Sequence, residues 1–529
     1  MFIYCEADSR THRPERIAGI ACRSTSSTST ATATPSTIRP ELDKAPSRTE
    51  QAQVPSAREA ESTFSWTKQW YPVQAVQNLD PKKPFATKLL GSDLVVWRDA
   101  TGQWRCFEDR CPHRLAPLSQ GRIAEADGNL QCSYHGWRFG GDGKAVSIPQ
   151  TKMDGPANEA RVCNNRRSCV KAFPTKEFWG LVWVWPDTSS SAWADSSSTE
   201  PPIDPFVAKL TPEDITLVTG QYFVRDMPIP FDILAENISD QSHVPFGHHG
   251  VAGNRESKWA AHFKIWDVNK RQTWPDGYTY ELEWSPDGIN PPIQQAVTCI
   301  APSFISYLQR KDQGAVSGVV FWIVPLDDLN TRVINQGVVT SPIPGLLRWL
   351  ASKRGRWLDH LLLNEIFDGD LAYLHKAAFL AKQNDATGAT WPQDYYLAAQ
   401  ADASAAAWRR WFNGRGQGGH VRASGAEPAR PPAEISRHDL LDRRAQHVAQ
   451  CPSCQRGLQL VQRTQTVLKG ACAAAFLGLA AALGQGQWQV ASAPVAEVTV
   501  GMGGLLWLSS ALHSFEAKFG FSDYVHSER

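Results

Sequence analysis

The chain has 529 residues, enough for two or three domains with separate cores. Its formal net charge is +1 and no basic stripe is evident, which argues against nucleic acid as a partner. Eleven cysteines in so long a chain do not make a disulfide scaffold; several fall at metal-like or redox-like spacings, which suits a reducing compartment.

Residues 1–63 read as an address rather than a fold. Arg23 to Thr37 reads RSTSSTSTATATPST, and the first forty residues hold five Arg against the acids Glu6, Asp8 and Glu15. That composition predicts an organellar transit peptide, most like a chloroplast one, with a plain disordered tail as the alternative. Residues 64–187 favour short strands: DLVVWRD, LQCSYHGWRFG and FWGLVWVWPD are rich in Val, Trp and Phe and punctuated by Gly and Asp. They predict a small all-β domain. The polar stretch SSSAWADSSSTEPP then reads as a linker or exposed loop. Over 200–412, strand-like SGVVFWIVPL and TRVINQGVVTS precede helical LLRWLASKRGRWLDHLLLNEIF and GDLAYLHKAAFLAKQ, the order of an α+β domain. Residues 413–433 read as a second linker.

The last part, 434–529, holds the pair Cys451-x-x-Cys454 and two apolar segments, from Gly470 to Leu483 and from Val498 to Leu512. Each is shorter than the roughly 20 residues that cross a bilayer as a straight helix, so a pair of buried core helices is one reading. Membrane attachment is the other: Ala- and Gly-rich faces allow close helix pairing in lipid, and Trp507 suits an interface.

The sharpest constellation is Cys111-Pro-His113-Arg with Cys132-Ser-Tyr-His135-Gly-Trp, a CxH and a CxxH separated by eighteen residues. Two thiolates on one iron and two imidazoles on the other hold a [2Fe-2S] cluster, and neutral imidazole in place of thiolate raises its potential. Cys₂His₂ also suits zinc, but zinc modules usually open with Cys-x2–4-Cys and close with His-x3–5-His, which this sequence does not do. Cys106 lies outside the spacing and reads as a strand residue.

A second constellation is AENISDQSHVPFGHHG, with Asn237, Asp240, His243 and His248. Residues three apart share a helix face, so Asn237, Asp240 and His243 are expected to line up, with Pro245 ending the helix and letting His248 curl to the same point. Two imidazoles and one carboxylate make a facial triad that leaves positions on Fe(II) open for O₂. The carboxylate must come from elsewhere: Asp370 in NEIFDGDLAYLH is the candidate, Asp368 its competitor and Glu365 a third choice. His249 leaves open which imidazole binds, and a His-x4-His pair alone is weak evidence. It gains force from the upstream cluster motif, because one centre stores an electron and the other needs one.

The order CPHR, CSYHGW, ENxxDxxHVPxxHHG and a DxD-containing helix resembles the ring-hydroxylating Rieske oxygenases, and among them the chloroplast branch that contains pheophorbide a oxygenase. WTKQWYPV, CFEDRCPHRLAPLSQGRI, the late CPSC and the ending FGFSDYVHSER agree with that branch, so the resemblance covers roughly 64–529. It implies a Rieske [2Fe-2S] domain, a helix-grip (START-like) catalytic domain and a membrane-associated C-terminal helical segment. It implies that Cys111, His113, Cys132 and His135 hold the cluster and that His243, His248 and Asp370 hold a mononuclear non-haem Fe(II). Asp240 would bridge from His243 toward a neighbouring subunit's cluster in a homotrimer. The resemblance also implies ferredoxin as electron donor, O₂ and a tetrapyrrole as substrates, a plastid membrane, envelope or thylakoid, as location, and thioredoxin acting on Cys451 and Cys454. From the residues, a reversible disulfide is the first reading of that pair, and half of a metal knuckle or two idle thiols are the alternatives.

Two rivals follow. A Rieske electron carrier would have an extra disulfide beside the ligand loops, where this chain has Ala116 and Ser133 or Tyr134, and it has no use for the second motif. A redox-sensing component of a plastid membrane assembly would need the CxxC but not His243. Within the enzyme reading, ring opening of pheophorbide a is the first choice, with protochlorophyllide, chlorophyllide or a phyllobilin as other tetrapyrrole substrates.

Overall fold

A computed structural model describes residues 63–529 apart from 211–221, 259, 267–275, 285–292, 311–315, 341–345, 347–354, 388–394, 426–434 and 491. The transit-peptide expectation and residues 426–433 of the 413–433 linker fall outside the described residues; of the rest of that linker, His420–Ala423 is helical.

The N-terminal part is all-β. One antiparallel sheet pairs Phe85–Leu89, Ser92–Arg98, Trp104–Glu108 and Ala172–Phe173 in that order. A second, of very short strands, orders Arg122–Ile123, Leu130–Gln131, Arg138–Phe139 and Ala145–Ser147. The run Leu94-Val-Val-Trp97 is apolar throughout because both faces of its strand are covered. Leu94 and Val96 join the main core, whereas Val95 and Trp97 pack with Cys111, Cys132 and Phe139.

The following part is built on a seven-stranded antiparallel sheet in the order Phe223–Met227, Thr331–Val339, Val316–Pro325, Phe304–Arg310, Ile293–Ile300, Gly277–Trp284 and Phe263–Trp266. The 31-residue helix Trp357–Thr387 packs against it, giving the helix-grip arrangement. Among the described residues nine tryptophans are buried, and they are spread through the core clusters rather than gathered in one pocket.

That helix buries Phe367, Leu371, Leu374 and Ala378 at helical spacing, but also the polar His360, Asn364, Asp368 and Asp370. Asp368, fully buried, sits between two arginines: Arg225 Nη2 lies 2.6 Å from Oδ1 and Arg443 Nε 2.7 Å from Oδ2. Arg225 also donates to the Asn364 carbonyl and to Gln446 Oε1, and Arg443 to the Lys518 carbonyl. One carboxylate thus ties the first catalytic strand, the long helix and the C-terminal region together.

Three expectations need correction. SSSAWADSSSTEPP is not a loose linker: Ala192–Ser197 is helical, and the carbonyls of Ser196 and Thr199 accept from the buried Trp70 Nε1. Pro245 starts a helix rather than ending one. The first helix, Phe231–Ser239, stops before Asp240, which is extended, and Pro245 lies in the first turn of Val244–Gly247, where its missing N–H costs nothing. The apolar segments belong to longer helices, Pro452–Gly484 and Ala493–Ala517, each long and apolar enough to cross a membrane and each largely exposed. Their glycines do not close the pair: a Cβ added at Gly470, Gly478, Gly501, Gly503 or Gly504 meets nothing within 4 Å.

Replacing Arg225 by Met strips Asp368 of one of two buried partners. We expect a loss of about 3–5 kcal/mol, read as a lower denaturant midpoint for the catalytic part. An unchanged midpoint contradicts the role given to this network.

Candidate metal centres

The cluster motif sits on two loops of matching construction. In the first, the Cys111 amide donates to the Ala116 carbonyl and Leu115 N–H donates back to Cys111. In the second, the Cys132 amide donates to the Trp137 carbonyl and Gly136 N–H donates to Cys132. Each loop closes four residues past its cysteine through a positive φ, 60° at Leu115 and 74° at Gly136. Only glycine takes that conformation without strain. Both cysteines are buried at 2 % exposure. The imidazoles of His113 and His135 meet edge-on with ring centroids 4.4 Å apart, and Trp137 stacks on His113 at 4.8 Å.

The donor set fits a [2Fe-2S] cluster. Burial, with Cys132 beside it, pushes the Cys111 thiol up to about 11, so a bound cation is what makes it a thiolate. Burial, with the neighbouring His135, lowers the His113 pKa and keeps its ring neutral, as a ligand must be. Cys106, in the strand Trp104–Glu108, lies apart as a buried core residue.

The second site forms where the short helix Val244–Gly247 meets the long one. His243 Nε2 and His248 Nε2 lie 3.2 Å apart, and Asp370 Oδ1 lies 3.5 and 3.4 Å from them. Asp368 points to its arginines, and Glu365 is paired with Arg529 at 2.7 Å; neither joins the imidazoles. His249 is turned away, its Nδ1 accepting from the Arg255 amide. Although burial alone would raise it, the His248 and His243 rings and the Tyr373 hydroxyl hold the Asp370 carboxyl down at about 2. Two imidazoles and an ionised carboxylate that converge with no lysine or arginine among their described partners fit a divalent ion with open positions.

Asn237 donates from Nδ2 to Asp370 Oδ1 at 3.3 Å, and Tyr373 donates to the same oxygen at 2.8 Å. Asp240 Oδ2 faces His243 Nδ1 at 3.7 Å, while the Ser242 amide and hydroxyl donate to its other oxygen. That turn reaches from the helix end to His243 without the aligned face expected for the three residues. Tyr280 and Tyr307 on the sheet donate to the Ser239 and Ile238 carbonyls and fix where the helix stops. Gly369 lets the helices approach: a Cβ there would lie 3.2 Å from His248 Nδ1 and 3.0 Å from the Tyr524 ring.

Sequence reasoning missed Tyr373, Tyr280, Tyr307 and Gly369. Tyr373 was findable, three residues after Asp370 on the same helix face; the sheet tyrosines are separated from the motif by long stretches of chain and carried no local signal.

Comparisons with known proteins agree with this architecture. The Rieske [2Fe-2S] domain family matches residues 69–174. Pheophorbide a oxygenase of Oryza sativa subsp. japonica is 32% identical over 516 residues, 94% of this chain and 90% of that protein. Its counterpart in Arabidopsis thaliana is 32% identical over 493 residues, 88% and 85% of the two chains. Flavonoid 8-hydroxylase 2 of Ocimum basilicum is 30% identical over 486 residues, with the same two shares. The chain belongs to the Rieske non-haem iron oxygenases, in the branch of pheophorbide a oxygenase. It is therefore an oxidoreductase that uses O₂, with a [2Fe-2S] cluster in its N-terminal domain.

His113→Ala is expected to abolish the visible and EPR signature of the cluster. His248→Ala should leave that signature intact and stop oxygenation. A cluster signal surviving the first change, or normal turnover after the second, contradicts the assignment.

Proposed function

We propose that the protein is a ferredoxin-dependent oxygenase of a chlorophyll-derived tetrapyrrole, and that its reaction is the oxygenolytic opening of pheophorbide a. The observation that carries this reading is the 32% identity across 94% of the chain to a pheophorbide a oxygenase. In this reading Cys111, His113, Cys132 and His135 hold the cluster, and His243, His248 and Asp370 hold a mononuclear Fe(II). Bound there, the iron supplies O₂ activation at its open positions.

The chain's own residues do the rest. Tyr373 and Asn237 aim Asp370 Oδ1 at the imidazoles by donating to it. Asp240 orients His243 from the far side of its ring, the outer-shell role that fixes a ligand's tautomer. Asp240 is also the residue through which an electron passes from the cluster of a neighbouring subunit, in a homotrimer. What supports a subunit contact is the pair of side chains on the cluster loops, Leu115 at 66% and Tyr134 at 60% exposure, available to pack against a neighbour.

The relatives and the C-terminal helices support a plastid-membrane location. The relatives' names place them in the chloroplast. Helices Pro452–Gly484 and Ala493–Ala517 expose Phe476, Leu477, Val500, Leu506 and Trp507, the surface of a pair that inserts into a plastid membrane. Thioredoxin control of Cys451 and Cys454 gains no such support, because both are buried at 1% exposure or less.

The substrate test supplies purified protein with ferredoxin, reductant and O₂, then offers pheophorbide a, protochlorophyllide, chlorophyllide, a phyllobilin and a flavone. The flavone is included because a 30% identical relative is named a flavonoid hydroxylase. Opening of pheophorbide a is the expected outcome; turnover of the flavone alone overturns the tetrapyrrole reading. Asp240→Asn should keep both iron centres and lower turnover on the order of 10–100-fold. Unchanged turnover contradicts the positioning role of Asp240.

A further inference from the structure

The pair Cys451 and Cys454 does not stand alone. His360, in the second turn of the helix Trp357–Thr387, and His447, just before the CxxC, converge on it. His360 Nδ1 lies 3.4 Å from Cys451 Sγ and 3.5 Å from Cys454 Sγ, and His447 Nε2 lies 3.2 Å from Cys454 Sγ. All four donor atoms fall within 4.8 Å of one another, and the four residues are 2%, 0%, 1% and 0% exposed in chain order.

From this geometry we infer a second kind of metal site, outside both iron centres: a closed Cys₂His₂ site for a structural Zn²⁺, held by His360, His447, Cys451 and Cys454. With Zn–S about 2.3 Å and Zn–N about 2.0–2.1 Å, the nitrogen–sulfur edges of a tetrahedron are about 3.5 Å, close to the spacings observed. Four protein donors leave no open position, which marks a structural rather than a catalytic site.

The surroundings favour a cation over a hydrogen-bonded cluster of thiols. His447 Nδ1 is 2.6 Å from the Val224 carbonyl, which accepts its proton and leaves the bare Nε2 lone pair facing the sulfurs. Cys451 is the N-cap of a 33-residue helix, where the exposed N–H dipoles favour a thiolate. Phe223 walls the site, stacking on His447 at 4.5 Å and meeting His360 edge-on at 5.5 Å. The next shell is apolar: Leu361, Val448, Leu458, Val461 and Phe519. Burying two thiols and two imidazoles in such a place is costly unless one ion satisfies them together.

The site joins two pieces of chain far apart in sequence. It clamps the start of the helix that carries Asp370 to the base of the first apolar helix, where Trp357 packs so closely that a Cβ at Gly457 would lie 2.5 Å from its ring. His360 precedes Asp370 by ten residues, about 15 Å along the helix. Zinc there sets the position of the acid-bearing helix without touching the reaction.

The test uses the full chain as purified. Elemental analysis is expected to find about one zinc per chain beside the iron, and zinc-edge X-ray absorption a first shell of two sulfurs and two nitrogens. Cys454→Ser should lose the zinc and keep the cluster's visible spectrum. His113→Ala should lose the cluster and keep the zinc, which separates this site from a mismetallated cluster motif. Zinc that follows His113 instead, a chain without zinc, iron in this site, or a Cys451–Cys454 disulfide found by mass spectrometry overturns the proposal. If Cys454→Ser does not fold, the absorption edge of the unmodified chain still decides.

Discussion

Everything else in the catalytic half depends on how one helix accommodates buried carboxylates. Asp368 and Asp370 are both enclosed by protein. A buried carboxylate is tolerated only when opposite charge or hydrogen bonds meet it. Two residues apart on a helix means roughly 200° of rotation, so the two acids face nearly opposite ways. One side supplies Arg225 and Arg443, which neutralise Asp368 permanently. The other supplies two imidazoles and a tyrosine hydroxyl, a set that holds Asp370 ionised and suits a metal. The Asp-Gly-Asp sequence is thus a structural acid and a candidate ligand separated by a glycine that clears room for His248.

The same arithmetic explains what was legible in advance. The cluster loops could be read from spacing because all four donors lie within 25 residues and each loop closes locally. The two histidines could be read as well, since a five-residue separation is bridged by one short helix. The choice between Asp368 and Asp370 could not, because it depends on which side of the helix receives Arg225, far upstream, and Arg443, far downstream. Helix periodicity fails at Asp240 because the Ser242 amide and hydroxyl donate to its carboxylate, a local turn that competes with the helix and ends it early.

The C-terminal region shows how little a local motif says when its partners are distant. Cys-x-x-Cys at 451–454 reads as redox chemistry or half a knuckle until His360, ninety-one residues earlier than Cys451, comes beside it. The apolar segments likewise look too short when only their purest stretches are counted. Their helices are extended by polar turns whose base packs on Trp357 and Phe519, while the distal faces expose apolar side chains. The region that carries the two exposed apolar helices is therefore tied to the helix that carries Asp370, through Arg443 and through the side chains of His360, His447, Cys451 and Cys454.

The central claim is that Asp370, and not Asp368, completes an iron site separate from the cluster in the same chain. Mössbauer spectroscopy of the anaerobically reconstituted full chain tests it most directly. The account predicts cluster iron and a high-spin ferrous site at about two to one, with Asp370→Ala losing only the ferrous component. A single iron environment, or a ferrous site that persists in Asp370→Ala, would contradict it.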